Sequence, residues 1–472
     1  MKKLILLLLI PALLMTYAAL PARCELSDGE YVPDEFVFTG GTGRVNISCP
    51  RIFVKGGSVY AEKLFSSANY TNVRIGEADY APEYTDAGAR FTVPAQLNRT
   101  FSVFATTVAM SSPHEIEYRL YIGLDSGYPA GLRLTGALPL IYAEGFSVDY
   151  FEGGYALISV KPGESYLVVP EGMDAPEGLN PSVTVLKKPL RSIYLAATSA
   201  MSLFDAIDAL DSIRLSGTQE SGWYVENAVN AMKNGDILYA GKYSAPDFEL
   251  LLREKSCLAI ESMMILHAPQ VRELIQLLGI PVFIDRSSSE PHPLGRMEWI
   301  KLYGLFTDHE AEAEDAFKKQ AAFVEKLGAV HDSGKTVAFF SLRPDGTVTV
   351  RGSQDYIVRS IELAGGRYVF DSIKGQETNA SVSISMEAFF AGAADADYLI
   401  YNSAIGEPLD SIDALVYAQP LLSEFRAVKT GGVFCTAPSL YQSTDKIGTF
   451  IGDLEKLLSG ETEGMTFLNK LD

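Results

Sequence analysis

The chain has 472 residues, a length that at roughly 150 residues per domain predicts about three compact units. Its formal net charge of -20 would repel a phosphate backbone, so the sequence predicts no nucleic-acid partner. Hydrophobic residues make up 47% of the chain and charged residues 21%, a composition that excludes a largely disordered or fibrous protein.

Residues 1–24 have the order of a secretory signal peptide. Lys2 and Lys3 precede an apolar stretch from residue 4 to 10, and small residues follow before residue 24. The apolar stretch is shorter than the ~20 residues that a bilayer core needs, so the pattern favours a signal peptide over a membrane span. We expect an exported, extracytoplasmic protein at the cell surface or in a periplasm.

Four cysteines occur in the chain, and each is interpreted from its position. Cys24 stands where a bacterial lipoprotein carries its lipidated cysteine, which would anchor the protein to the membrane, but Arg23 is unusual before such a site. Both states of Cys24 therefore stay open. The other three cysteines are too dispersed for a disulfide framework and are predicted to be buried. Because no CxxC, HExxH or P-loop sequence occurs, we predict no enzyme.

The pattern of apolar residues divides the rest of the chain into four parts. Alternating β-branched and aromatic residues predict an all-β sandwich over 25–128. Strands followed by amphipathic helices predict a first α/β lobe over 129–292, with a leading β-hairpin region, and a second α/β lobe over 334–472. One long helix is predicted to join the lobes over 293–333. The fold class is multidomain, with two parallel-sheet lobes after the sandwich.

A repeated segment carries a family resemblance. Ala245-Pro-Asp-Phe-Glu249 precedes the predicted strand at 258–260, and Ser383-Ile-Ser-Met-Glu387 precedes the strand at 398–400. With its two lobes, the chain from about residue 146 resembles the cluster III substrate-binding proteins of ABC importers for ferric siderophores, haem and vitamin B12. The resemblance implies that Glu249 and Glu387 dock on permease arginines. The alternative is that each is an exposed glutamate favoured by a helix dipole.

Candidate ligand residues follow the carboxyl ends of the predicted strands or lie in nearby turns, where α/β folds gather ligands. They are Ser199, Met201, Trp223, Tyr224, Lys242, Tyr243, Glu261, Met263, Arg286, Arg351, Tyr356, Asn402 and Tyr441. Cations together with aromatic rings suit an anionic, partly planar chelate. Strand ends also carry ordinary turn-forming polar residues, which is the alternative for each of these positions.

The resemblance implies a substrate-binding component that captures an iron chelate, either a ferric siderophore or haem, and delivers it to a permease with its ATPase. It implies no covalent cofactor. A cobalamin (corrinoid) binder of the same class stays open. A divalent metal-ion receptor would need His267, His292, His331 and Glu261 to converge, and their spacing does not predict a metal site. His292 lies in the proline-rich stretch 287–299, which predicts a fixed corner between the first lobe and the helix.

The N-terminal sandwich resembles near-iron-transporter (NEAT) haem-binding domains. Asp28-Gly-Glu-Tyr31 is similar to their opening, residues 66–70 to their short lip helix, and His114-Glu-Ile-Glu-Tyr118 lies where they carry Tyr-x-x-x-Tyr. The resemblance implies His114 and Tyr118 as haem ligands and a surface module that captures haem. The first family tyrosine is a histidine here, and an ordinary sandwich strand is the alternative.

Overall fold

The computed structural model describes residues 29–41, 45–56, 58–109, 112–124, 132, 134–176, 179, 182–327, 332–375, 381–406 and 408–472. They form two compact units. The first comprises described residues of 29–135 with 151–153 and 172–184, and the second comprises those of 136–150, 154–171 and 185–472. Cys24, Asp28 and His331 lie outside the described residues, so the predictions made for them stay predictions.

The first unit contains two five-stranded antiparallel sheets, so the predicted N-terminal all-β region is present. One sheet has the order β1–β3–β4–β8–β7 and the other the order β2–β10–β9–β5–β6. The strands are β1 (Gly29–Tyr31), β2 (Glu35–Gly40), β3 (Ile47–Lys55), β4 (Ser58–Phe65), β5 (Tyr70–Ile75), β6 (Ala78–Tyr80), β7 (Glu83–Thr85), β8 (Gly88–Pro94), β9 (Thr100–Thr107) and β10 (His114–Gly123).

The short lip helix predicted at residues 66–70 is not formed. Residues 66–69 make a bend and a turn, and Tyr70 begins β5. The hydroxyl of Ser66 accepts a hydrogen bond from the backbone N–H of Asn46 at 2.9 Å, and that of Ser67 accepts one from Asn69 at 3.2 Å. These serine hydroxyls stabilise a turn and compete with a helical backbone at this place.

A lysine is buried in the interior of the sandwich. Lys63 on β4 has 0% exposure, and its Nζ has no hydrogen-bond partner among the described residues. The amine lies 4.6 Å from the centroid of the Phe101 ring and 5.8 Å from that of Phe36. Burial lowers the pKa of this amine to about 7. The core of the first unit therefore contains an amine with little compensation for its lost hydration.

The second unit includes a five-stranded sheet ahead of the first lobe, where the sequence predicts a β-hairpin region. The order is β11–β12–β13–β14–β15, and β13 pairs antiparallel with both β12 and β14. The strands are β11 (Leu134–Ala137), β12 (Phe146–Phe151), β13 (Ala156–Val160), β14 (Glu164–Val169) and β15 (Val183–Lys187).

The first lobe is an α/β layer around a parallel sheet, as the alternation of strands and helices predicts. The sheet order is β18–β17–β16–β19–β20, and every pair is parallel. Its elements are β16 (Ile193–Leu195), α1 (Met201–Ala206), β17 (Ile213–Ser216), α2 (Glu226–Asn234), β18 (Leu238–Tyr239), α3 (Phe248–Arg253), β19 (Leu258–Ser262), α4 (Pro269–Leu277) and β20 (Val282–Asp285).

Three helices follow one another where the sequence predicts one long connecting helix over 293–333. They are α5 (Pro293–Glu298), α6 (Ile300–Thr307) and α7 (Glu310–Leu327). The last break follows from the backbone of Asp308, which adopts a left-handed conformation with φ of 61° and ends α6. Aspartate tolerates this conformation better than most residues because its short side chain can hydrogen-bond locally. The connection is therefore helical but segmented.

The second lobe is built on a seven-stranded mixed sheet. The order is β24–β22–β21–β25–β26–β27, with β23 also paired to β21; the pairs of β21 with β23 and β25 and of β25 with β26 are parallel. The elements are β21 (Thr336–Leu342), β22 (Val348–Arg351), α8 (Tyr356–Leu363), β23 (Arg367–Tyr368), β24 (Ser381–Ile384), α9 (Met386–Ala393), β25 (Tyr398–Tyr401), α10 (Ile412–Ala418), α11 (Arg426–Thr430), β26 (Val433–Thr436), α12 (Ile447–Ser459) and β27 (Leu468–Lys470).

One continuous hydrophobic core runs through both lobes and the helices between them. It includes Phe283 of the first lobe, Trp299 and Phe306 of the connection, and Phe340 of the second lobe. Phe283 contacts Phe306 edge-on at 5.2 Å between ring centroids. The lobes therefore form one compact unit, and the three units expected from chain length are two in the structure.

Candidate functional site

A cavity of about 280 Å³ lies between the two lobes. The first lobe contributes six residues that end or follow its strands, the connection contributes one, and the second lobe contributes four. The lining consists of Thr198, Ser199, Ser262, Met263, Asp285, Ser288, Arg296, Arg351, Asp355, Tyr356 and Tyr441. Carboxyl ends of neighbouring parallel strands meet at one edge of a sheet, which explains why these polar residues come together.

Arg351 is held in place by three neighbours on the second-lobe side of the cavity. Its guanidinium donates to the carboxylate of Asp355 at 3.4 Å, to the hydroxyl of Ser381 at 3.0 Å and to the hydroxyl of Tyr441. Asp355 is itself fixed, because its other oxygen accepts a hydrogen bond from the N–H of Ile357 at 2.7 Å and caps α8. The guanidinium is thus oriented before any ligand enters.

The hydroxyl of Tyr441 is surrounded by donors. It accepts hydrogen bonds from the guanidinium of Arg351 and, at 2.8 Å, from the side-chain amide of Asn402. A phenol oxygen accepts two such bonds, so its own O–H is left to donate to a ligand in the cavity. Asn402 does not line the cavity, but its hydrogen bond holds the hydroxyl of Tyr441 in position.

Arg296 is a cavity residue that the strand-end argument misses. It lies on α5, is 5% exposed, and its guanidinium carbon is 4.0 Å from the centroid of the Tyr356 ring. Its Nε has no hydrogen-bond partner within the described part of the chain. A buried guanidinium with an unused donor favours an anionic ligand. Arg296 lies in the sequence stretch 287–299, whose prolines predict only a fixed corner.

The carboxylate of Asp285, which also lines the cavity, is already occupied. One oxygen accepts a hydrogen bond from the N–H of Ser287 at 2.7 Å and the other accepts one from the hydroxyl of Ser199 at 3.1 Å. Since Asp355 is likewise engaged, the groups left to meet a ligand are mainly guanidinium and hydroxyl donors. The cavity is therefore suited to an oxygen-rich anion.

Five of the predicted ligand residues line this cavity: Ser199, Met263, Arg351, Tyr356 and Tyr441. The other eight do not. Met201 is buried in the core, Lys242 and Tyr224 are exposed, and Trp223 is held by hydrogen bonds from its indole N–H to Ser216 and Thr218. The remaining four outside the lining are Tyr243, Glu261, Arg286 and Asn402.

Glu261 lies on β19 and is fully buried. It does not line the cavity between the lobes. Side chains alternate along β19, so Glu261 lies on the face opposite Ile260, which belongs to the interlobe core. Neither carboxyl oxygen has a hydrogen-bond partner among the described residues, and burial raises the pKa of the group to about 8. Because burial favours the protonated form, the carboxyl is a poor metal ligand. The described residues contain no cluster of three or more His, Cys, Asp or Glu that could hold a metal ion.

Gln442 joins the two lobes beside the cavity. Its amide donates to the carbonyl of Gly222 at 2.8 Å, and its side-chain oxygen accepts a hydrogen bond from the N–H of Tyr224 at 2.9 Å. A second-lobe side chain thereby pairs with first-lobe backbone through two hydrogen bonds. Tyr224, a predicted ligand residue, takes part in this bridge through its backbone.

Glu298 fixes the corner from which Arg296 projects. Its carboxylate is 0% exposed and accepts backbone hydrogen bonds from Ile141, Tyr142 and Ala143 at 2.8 to 3.0 Å. Lys301 donates to the same carboxylate at 3.0 Å. A buried carboxylate of this kind is stable only because every hydrogen-bond site is filled.

Glu290 and His292 complete the corner. The carboxylate of Glu290 accepts hydrogen bonds from the N–H groups of Glu144 and Gly145 and from the indole of Trp299, at 2.9 to 3.0 Å. The imidazole of His292 accepts one from the N–H of Leu294 at 3.1 Å, and burial lowers its pKa to about 4. His292 is neutral and caps α5, in agreement with the predicted structural role.

The two proposed docking glutamates occupy equivalent places in the two lobes. Glu249 and Glu387 are exposed in the first turns of α3 and α9. Each helix is capped by the side chain two residues earlier, with Asp247 accepting from Leu250 at 3.0 Å and Ser385 accepting from Ala388 at 3.2 Å. The two similar sequence segments therefore form the same local structure, the start of a helix capped by a side chain.

His114 and Tyr118 of the sandwich do not share an open face. His114 is exposed at the start of β10, whereas Tyr118 is buried with its hydroxyl 2.7 Å from that of Tyr70. The Tyr118 ring packs edge-on against Phe65 at 5.9 Å between centroids. Tyr118 would have to leave this packed position to reach an iron atom outside the sandwich.

The family match falls within the second unit. Residues 212–440 match the family model described as periplasmic binding protein. An uncharacterized lipoprotein of Methanocaldococcus jannaschii is 24% identical over 303 residues, which is 61% of this chain and 69% of that protein. A second uncharacterized lipoprotein of that organism is 26% identical over 203 residues, 41% of this chain and 50% of its own length.

Solved structures that match part of the chain include two periplasmic binding proteins of Vibrio cholerae. The haem-binding protein HutB has a TM-score of 0.47 at 18% identity, covering 57% of this chain and 98% of its own. The catecholate-siderophore-binding protein VctP has a TM-score of 0.45 at 14% identity, covering 57% of this chain and 94% of its own.

No helix among the described residues is long and apolar enough to cross a membrane. The segment from residue 212 to 440, which contains most of the cleft residues, thus matches the periplasmic binding protein family.

Proposed function

We propose that the chain is the extracytoplasmic substrate-binding component of an ABC importer. It captures an iron chelate, a ferric siderophore or haem, between its lobes and delivers it to the membrane permease and its ATPase, without catalysis. The observation that carries this proposal is the interlobe cavity, where Arg296 and Arg351 face a space lined by both lobes. The family match over residues 212–440 supports it.

The chemistry of the cavity favours an anionic chelate. Arg296 and Arg351 line the cavity with charged donors, and the hydroxyl of Tyr441 has its proton free, so the lining offers donors to oxygen acceptors. Carboxylates, catecholates and hydroxamates present such oxygens on the surface of a ferric complex. The aromatic ring of Tyr356, stacked on Arg296, covers part of the ligand body.

The size of the cavity favours a compact chelate. Its volume of about 280 Å³ lies just below the range of roughly 300–1,000 Å³ that is usual for ligand pockets. A corrinoid, which is much larger, would need the lobes or the lining side chains to move farther. The compact ferric complex is therefore the better candidate for the arrangement of side chains described above.

The site of action follows from the sequence features and the relatives. A signal peptide over residues 1–24 and a lipidated Cys24 would place the protein outside the cytoplasm, anchored to the membrane next to its permease. The names of the two lipoprotein relatives support this anchoring. A membrane anchor keeps the binding protein near its permease, which raises its effective concentration there.

Replacing Arg296 by glutamine should weaken binding of the ferric ligand about 10- to 100-fold, because a buried hydrogen bond from a charged donor contributes roughly 1.5–3 kcal/mol. Titration calorimetry with wild type and R296Q measures the loss. R343Q is the matched control, since Arg343 is half exposed and pairs with Asp345 outside the cavity. Equal affinity of R296Q and wild type would refute the assignment of the cavity.

Replacing Glu249 and Glu387 together by alanine should reduce uptake through the importer at least about tenfold while ligand binding stays unchanged, because paired charges across an interface set orientation and encounter rate. Uptake of radiolabelled iron by cells is the readout. E226A is the control, because Glu226 is also an exposed glutamate in a first helical turn, that of α2. Undiminished uptake by the double variant would disprove the docking role.

A further inference from the structure

A second cavity adjoins the cleft. Its volume is about 320 Å³, and it lies between the β12–β14 sheet and the first lobe. Its lining consists of Glu144, Gly145, Lys161, Pro162, Met263, Arg286, Ser289, Glu290 and Pro291. Met263 is the one described residue that lines both this cavity and the cleft, while Ser288 lines the cleft and Ser289 the second cavity.

The side chain of Met263, which lines both cavities, is flexible. The sulfur of Met263 lies 3.1 Å from the hydroxyl of Ser289, so its thioether spans from the end of β19 to the turn after β20. Methionine is unbranched and has three rotatable bonds, and a sulfur contact of this kind is weak. The side chain can turn aside at a small cost, in contrast to the packed core beneath it.

The second cavity offers a mixed surface. Gly145, Pro162 and Pro291 give it apolar walls, and Lys161 and Arg286 bring positive charge. Arg286 donates through its Nε to Glu164 at 3.3 Å, which leaves the terminal nitrogens of its guanidinium for another acceptor. The carboxylate of Glu290 is already filled by three N–H donors, so it repels an acidic group less than an exposed carboxylate would.

We propose that Met263 is a movable partition that sets the length of ligand the cleft accepts. When Met263 turns aside, a ligand extends from Arg296 into the second cavity, and an acidic arm of that ligand lies beside Arg286 and Lys161. The accessible volume then roughly doubles. The ligand class is a chelate with an apolar body and a carboxylate arm. This inference rests on the proposed function of the cleft.

The test compares variants at position 263 with two probes. Ferric citrate is the compact probe, and haem, which carries two carboxylate arms, is the extended one. Met263→Ala removes the partition and Met263→Phe makes it larger, so the ratio of haem affinity to citrate affinity should be at least about tenfold higher in the alanine variant. Adding Arg286→Gln to the alanine variant should remove most of this gain and weaken haem binding more than ferric citrate binding.

Three outcomes separate the inference from the function on which it rests. A ratio that agrees within twofold between M263A and M263F, in proteins that bind both probes, overturns the partition alone. An Arg286→Gln change that weakens both probes equally also overturns it, because Arg286 would then act through folding. Failure of wild type and all variants to bind either probe overturns the partition, whereas the proposed function is overturned only if a ferric hydroxamate and a ferric catecholate also fail to bind. Thermal unfolding of each variant checks that the fold is intact.

Discussion

Replacing Glu298 by glutamine should lower the free energy of unfolding of the second unit by about 3–5 kcal/mol, the usual cost of breaking a buried charge network. The carboxylate accepts hydrogen bonds from three consecutive backbone N–H groups and from Lys301. A glutamine has one acceptor oxygen, and its NH₂ group would face N–H donors. Lys301, with 4% side-chain exposure, would lose its buried counter-charge.

The matched control is Glu314→Gln. Glu314 also pairs with Lys301, at 3.1 Å, but its side chain is 40% exposed, so its loss should cost less than about 1 kcal/mol. Urea unfolding followed by tryptophan fluorescence measures both variants, because Trp299 lies next to this corner in the interlobe core. A loss of stability in E298Q no larger than that in E314Q would show that the corner is not held by this carboxylate.

Replacing Lys63 by methionine should stabilise the sandwich by about 4 kcal/mol at pH 7, the free energy of a shift in pKa from about 10.4 to about 7. Folding depresses the pKa of the amine because the charged form is desolvated. Between pH 7 and 10.4 the unfolded chain therefore holds more protons than the folded chain. The stability of wild type should rise with pH across this window, and K63M should lose this rise.

Hydrogen exchange of the full chain, measured by mass spectrometry, gives the stability of the first unit directly. Both tryptophans, Trp223 and Trp299, belong to the second unit and do not report on it. The amides of β3 and β4 should exchange more slowly in K63M than in wild type at pH 7. Lys55→Met, on an exposed position of β3, should leave them unchanged. Equal protection in K63M and wild type would mean that the amine finds a partner.

The rule that ligand residues follow strand ends predicts part of the cleft. Ser199, Met263 and Arg351 follow or end β16, β19 and β22, and they line the cavity. Arg296 escapes this rule because it projects from helix α5, whose position depends on Glu290 and Glu298 binding backbone far away in sequence. Such tertiary contacts have no local pattern that a single sequence reveals.

Local chemistry also explains the errors of the sequence interpretation. Trp223 is predicted as a ligand residue, but its indole N–H donates a hydrogen bond to the hydroxyl of Ser216, at the end of β17, at 3.0 Å. This bond holds Trp223 against the first lobe. Apolar residues at helical spacing after residue 293 predict one long helix. Asp308 nevertheless adopts a left-handed backbone conformation, which ends α6. Periodicity predicts which residues are buried and does not predict where a helix is interrupted.

The central claim, that the interlobe cavity captures one ferric chelate, is tested most directly by mixing the purified chain with ferric citrate, a ferric hydroxamate, a ferric catecholate or haem. Gel filtration then removes free ligand, and the visible absorption of the protein fraction measures what is bound. We predict a saturable complex with one ligand per chain for at least one of these compounds, lost or strongly weakened in R296Q. Absence of absorption in the protein fraction for all four compounds would contradict the account.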